Sequence, residues 1–249
     1  MGKKIRRRLI AGNWKMNGDI LSLEEIRKMV KLDFSDDCDV AICPPATLLM
    51  EATRITSKSK IIIGAQDCHH IDKGAYTGEI SAKMLSDVGV RAVIIGHSER
   101  RSQNHETNQL IKKKVEAAHN ANILAIVCIG ESEDQRHAGL TESVVLGQLA
   151  DSIPRTTTHL NTVIAYEPVW AIGTGKTPSL DEIARVHKTL RSFINKDKGE
   201  EIALNIRLLY GGSVKPENSK DIFNISDVDG ALVGGASLTF KDFSSIINS

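Results

Sequence analysis

The 249-residue chain is poor in the features that most quickly assign a class. Its four cysteines, Cys38, Cys43, Cys68 and Cys128, stand singly, without the C-x-x-C spacing of a zinc or redox site. Cys43 and Cys128 fall inside apolar runs and read as buried thiols. No stretch approaches the ~18 apolar residues of a membrane span, and no apolar signal segment follows the N-terminal charges, so a cytoplasmic protein is expected. Position 6 is an arginine where a myristoylation motif needs Ser or Thr. A surplus of either charge is also missing. The 32 Lys and Arg nearly cancel 31 Asp and Glu, leaving +1, which gives no field to gather polyanions and no reason to expect nucleic acid as a partner. The one basic cluster, K-K-I-R-R-R at 3–8, runs into L-I-A-G and reads as a solvated lead-in to a first strand.

What is present is an ordinary globular composition, 41% apolar and 25% charged. Short Val- and Ile-rich runs recur, with longer helical patterns between them. They predict strands at 7–12, 39–43, 60–65, 91–96, 123–129, 162–167, 206–211 and 229–234. Most are continuously apolar, as expected of parallel strands covered on both faces. Helix signals fill the gaps. Ser22-x-x-Glu25 and Ser179-x-x-Glu182 have capping-box form. Leu180, Ile183, Val186, Leu190 and Phe193 recur every three or four residues, and Pro216 fits a first helical turn.

Eight strand-helix units of about 31 residues each predict an α/β fold, a single (β/α)8 barrel over 1–249 in preference to an open doubly wound sheet. In such a barrel, function belongs to the loops after the strands. The polar and glycine residues concentrate there: Asn13 and Lys15 after the first strand, His97, Ser98, Glu99 and Arg100 after the fourth, and Glu167 ending the sixth. Gly211, Gly212 and Ser213 follow the seventh strand, and Gly234 and Gly235 the eighth. Glu167 precedes Pro168, which holds it extended. The two glycine pairs let backbone N–H groups approach an anion, and the loops after strands seven and eight are the usual phosphate site of these barrels. A lysine, a histidine, a glutamate and a phosphate nest imply a small phosphorylated substrate and proton-transfer chemistry. Single histidines are more often structural, and the other seven, His187 among them, are read that way.

Gly175-Lys176-Thr177 resembles the end of a nucleotide-binding loop, but G-x-x-x-x-G-K-[ST] would then require glycine at Trp170. The segment after Glu167 reads instead as a mobile lid. Pro168 and Gly173-x-Gly175 are its joints, and Val169, Trp170, Ala171 and Ile172 form an apolar tip.

These segments resemble the triosephosphate isomerase family. The resemblance rests on A-G-N-W-K-M-N at 11–17, G-A-Q at 64–66, G-A-Y-T-G-E-I-S at 74–81, G-H-S-E-R-R at 96–101 and C-I-G-E at 128–131. It continues in A-Y-E-P-V-W-A-I-G-T-G-K-T at 165–177, Y-G-G-S-V at 210–214 and L-V-G-G-A-S-L at 232–238. It implies an enzyme that interconverts dihydroxyacetone phosphate and D-glyceraldehyde 3-phosphate through an enediol(ate), in glycolysis and gluconeogenesis, without metal or cofactor. By the same resemblance Glu167 is the base and His97 the electrophile, a pairing for which this family is itself the standard example. Lys15 and Asn13 contribute charge and hydrogen bonds to the substrate. Glu99 and Arg100 support the site and a subunit contact. Gly173, Ser213, Gly234 and Gly235 bind the phosphate. The resemblance further implies a homodimer through the 74–81 loop, with Thr77 reaching towards the partner's site. Asp67 departs from the family, in which Asn is common after A-Q, and the extra carboxylate is expected to alter dimer strength or its pH response. A catalytically silent phosphate-binding barrel is the competing reading, opposed by the intact Lys15, His97 and Glu167.

Overall fold

The computed structural model describes residues 6–172 and 177–249. Eight strands form a closed, all-parallel barrel in chain order: β1 (Arg8–Asn13), β2 (Cys38–Cys43), β3 (Ile62–Ala65), β4 (Ala92–Ile95), β5 (Leu124–Ile129), β6 (Thr162–Tyr166), β7 (Arg207–Tyr210) and β8 (Gly230–Val233). The eight strands anticipated from the sequence are all present, and the closed barrel replaces the open-sheet alternative. Closure is made by β8 against β1, where Leu9 pairs with Gly230 and Gly12 with Val233.

The absence of polar alternation along the strands now has its reason. Successive side chains point to opposite faces, and both faces are dry. Leu9, Ala11, Ala41, Cys43, Ile94, Ile126, Cys128, Val163, Ala165, Leu209 and Leu232 fill the barrel interior. Their neighbours Ile10, Val40, Ile42, Val93, Ile95, Val127, Ile164, Leu208 and Val233 meet the surrounding helices. All four cysteines are buried and unpaired, and burial pushes the Cys43 thiol up to about 12.

The two capping-box patterns have different outcomes. Ser179 caps the helix Leu180–Lys198, its hydroxyl accepting from the Glu182 N–H while the Glu182 carboxylate accepts from the Ser179 N–H at 2.8 Å. That helix buries Ile183, Val186, His187, Leu190 and Ile194; Leu180 stays exposed, and Phe193 is only partly buried. Ser22 makes no side-chain cap on Leu23–Val30. Its hydroxyl is engaged by Asp19, and Glu25 accepts from Lys28 and from the distant Phe240 N–H. Pro216 opens the helix Pro216–Phe223 as expected.

Candidate active site

The C-terminal ends of the strands surround a cavity of about 300 Å³, lined by Lys15, His97, Glu167, Ile172, Gly211, Gly212, Ser213, Gly234 and Gly235 among others. Residues from five different strand ends thus meet at one opening.

Glu167 follows β6 directly and is 2% exposed. Its backbone is fixed by donation from its own N–H to Ile129 O at 2.8 Å. Glycine makes the room. A Cβ on Gly130 would lie 1.7 Å from the Glu167 carbonyl oxygen, and one on Gly211 would lie 2.8 Å from Glu167 Cγ. Both carboxylate oxygens are engaged, Oε1 by His97 Nε2 at 2.9 Å and Oε2 by the Ser98 N–H at 3.1 Å. Complete burial raises the pKa of Glu167, but the charge and hydrogen bond of His97, the Ser98 amide and Lys15 outweigh it and leave the pKa below its ordinary value.

His97 is the N-cap of the short helix Ser98–Gln103, and its Nδ1 accepts the Glu99 N–H at 3.2 Å. An Nδ1 that accepts carries no proton, so the proton of a neutral ring sits on Nε2, facing Glu167. Burial disfavours the charged ring, yet Glu167 and then Glu99 overcome it and raise its pKa. Removing the Glu167 carboxylate from Nε2 would take away the largest influence that raises the pKa, leaving burial, the amide at Nδ1 and Lys15 to favour neutrality against Glu99.

Lys15 adopts φ +54°, a left-handed backbone that costs a non-glycine residue roughly 1–3 kcal/mol. Its N–H donates to Asn13 Oδ1 at 3.0 Å, and its Nζ reaches Glu99 Oε1 at 2.5 Å. Asn13 and Glu99 thus each hold Lys15, one at its backbone and the other at its ammonium. Ser213 and the pair Gly234 and Gly235 line the same cavity as Glu167 and His97. Gly173, offered from the sequence as a phosphate donor and with Gly175 as a lid joint, lies outside the described residues.

The first part of the anticipated lid is docked. Val169–Ala171 forms one 3-10 turn, and the Val169 N–H donates to Glu131 O at 3.1 Å. The fully buried Glu131 carboxylate accepts from Trp170 Nε1 at 3.0 Å and from the Tyr166 hydroxyl at 3.2 Å. The Arg136 guanidinium lies 4.2 Å from the centre of a Trp170 ring and pairs with Glu182, just past the other end of the segment. Glu131 belongs to a quoted motif, yet the sequence offered no role for it. The available signal was a carboxylate close behind a strand end, two residues past β5 where Glu167 directly follows β6.

Asp67 is not a free carboxylate. Arg100 contacts it at 2.8 Å and Lys114 holds both its oxygens, while Glu106 shares the same two cations. Burial nevertheless pushes its pKa up. Among the described residues no group of three or more His, Cys, Asp or Glu is arranged to hold a metal ion.

Comparison with known proteins agrees with this geometry. The family model described as triosephosphate isomerase matches residues 8–249. A triosephosphate isomerase of Ruegeria pomeroyi is 52% identical over 244 residues, covering 98% of this chain and 97% of its own. One from Rhizobium meliloti is 51% identical over 243 residues, covering 96% and 94%. The crystal structure of triosephosphate isomerase from Bartonella henselae superposes with a TM-score of 0.90 at 42% identity, covering 96% of this chain and 97% of that one.

Proposed function

Because the chain belongs to the triosephosphate isomerase family, it is an isomerase that interconverts dihydroxyacetone phosphate and D-glyceraldehyde 3-phosphate, and we propose that Glu167, His97 and Lys15 perform the chemistry. The observation that carries this reading is the convergence of a buried carboxylate, an imidazole with its Nε2 facing inward and an ammonium on one cavity beside two glycine pairs.

A proton next to a carbonyl is weakly acidic, so its removal needs a base in reach and stabilisation of the oxygen that gains charge. Glu167 supplies the base. To reach a substrate carbon its carboxylate exchanges the Ser98 amide and His97 for the substrate. His97, freed of the larger of the two charges that raised its pKa, is then a neutral ring whose Nε2–H points at the substrate oxygens. Lys15 adds a positive charge to the same region, and the proton is returned to the neighbouring carbon after passage through an enediol(ate). Ser213, Gly234 and Gly235, with Gly173, hold the phosphate through N–H groups. Covering the substrate with the 168–176 segment excludes water, which strengthens the carboxylate as a base and the lysine field together.

The active form is a homodimer of single-domain barrels working in the cytoplasm. Supporting the dimer, Met16 is 97% exposed beside the site, and Tyr76 in the 74–81 loop is 46% exposed, although both are large and apolar. The base of that loop is firm, since the His69 N–H donates to Ile80 O and the His69 ring lies 4.3 Å from that of Tyr76. No helix among the described residues is long and apolar enough to cross a membrane.

A coupled assay of the purified protein with glyceraldehyde 3-phosphate, followed in both directions, tests the reading. Turnover of both triose phosphates is expected. A protein that binds them without turnover would instead be the silent phosphate-binding barrel.

A further inference from the structure

Gln66 directly follows β3, and its side-chain nitrogen donates to two backbone carbonyls, Lys15 O at 2.8 Å and Cys43 O at 2.9 Å. Two carbonyl acceptors require the NH2 end of the amide, and both of its hydrogens are used. Cys43 is the last residue of β2, so one side chain from the end of β3 ties β2 to the turn that follows β1. That turn contains the strained residue. The peptide plane before Lys15 is set by its N–H on Asn13 Oδ1, and the plane after it by its carbonyl on Gln66. A lysine remains at φ +54° only where its surroundings over-determine the conformation. From that backbone its Nζ extends to Glu99 and the cavity.

We propose that Gln66 is a positioning residue of the reaction, acting through Lys15: by holding the Lys15 carbonyl it keeps the left-handed turn that aims the ammonium at the substrate. The proposal rests on the reading of Lys15 as a charge delivered to the triose phosphate. Gln66 itself touches no reacting atom. Its contribution is the direction of another side chain, and misplacement of a charged group by about 1 Å is enough to lower a rate by as much as ~100-fold.

The test is a double-mutant cycle. Gln66→Met keeps length and approximate volume but removes both donors. Its kcat/KM is expected to fall at least about tenfold, with KM rising and kcat falling together, because the Lys15 charge acts on bound substrate and on the transition state. In a Lys15→Met background the same replacement is expected to change kcat/KM by less than about twofold, since the group it positions is gone. If Gln66 only packs the strand ends or supports the fold, the two losses multiply, and that result overturns the proposal. So does a folded Gln66→Met protein with kcat/KM within about twofold of the parent. Gln66→Glu, which removes the donors but keeps polarity, is carried through the same cycle and decides the question if the Met variant does not fold. Wild-type kcat/KM in Lys15→Met alone would overturn the assignment of Lys15, an outcome separate from any result at Gln66.

Discussion

At position 187 a histidine occupies a helix stripe otherwise filled by Ile183, Val186, Leu190 and Ile194. It is fully buried, with Nδ1 3.0 Å from the Asp227 carbonyl, and desolvation lowers its pKa to about 4. An unfolded chain protonates histidine near about pH 6.5. Between these values the unfolded state binds the additional proton, so stability is complete above the higher value and lost as pH falls towards the lower, at about 1.4 kcal/mol per pH unit and up to about 3 kcal/mol in all. The His187→Gln variant is therefore expected to lose less stability than the parent on acidification across this window, measured as the urea midpoint. Equal acid sensitivity in the two proteins would show that the proton uptake lies elsewhere. The seven histidines outside the motifs shared one sequence reading. Burial depth distinguishes this one, and a helical period signals burial without specifying its consequence for a titrating side chain.

Two segments with the same Ser-x-x-Glu spacing show how far an element can be read before its neighbours are known. Ser179 and Glu182 cap each other, so Ser179→Ala is expected to lower stability by about 1 kcal/mol. Ser22 has been diverted by Asp19, and Ser22→Ala is expected to cost less than about 0.5 kcal/mol. Urea unfolding of the two variants compares them, and equal losses would contradict the geometry. The spacing alone cannot separate the cases, because Glu25 is recruited by a backbone N–H 215 residues away. The strands were legible for the opposite reason. Burial on both faces imposes an apolar run that needs no knowledge of the partner strand, and the barrel rule then locates function at the ends. Lys15, His97 and Glu167 could be found in this way. Gln66 and Glu131 could not, since their roles depend on carbonyls and an indole brought to them by other segments.

For the whole molecule, the barrel delivers every chemical group to one rim and leaves Met16 and Tyr76 standing out beside it. Exposed apolar residues next to a site supported by loops are the expected mark of an isologous subunit contact. The protein should sediment at about twice its 27.2 kDa chain mass. Tyr76→Asp, which places a charge in that contact, should shift it to the monomer with a matching loss of turnover. A parent that sediments as a monomer with full activity would refute the dimer. Asp67 is already matched by Arg100 and Lys114, so its departure from the family pattern adds a part-buried ion pair and not a bare charge.

The central claim is that the barrel positions Glu167 as the base, and the Glu167→Gln variant tests it most directly when turnover in the coupled assay is set beside triose-phosphate affinity from calorimetry. The shape of the side chain is kept and only its basicity removed. The account predicts a fall in kcat of about 100-fold to 10,000-fold with a dissociation constant within about tenfold of the parent, because a general base acts mainly in the transition state. Near-normal turnover, or losses of affinity and rate of equal size, would contradict it.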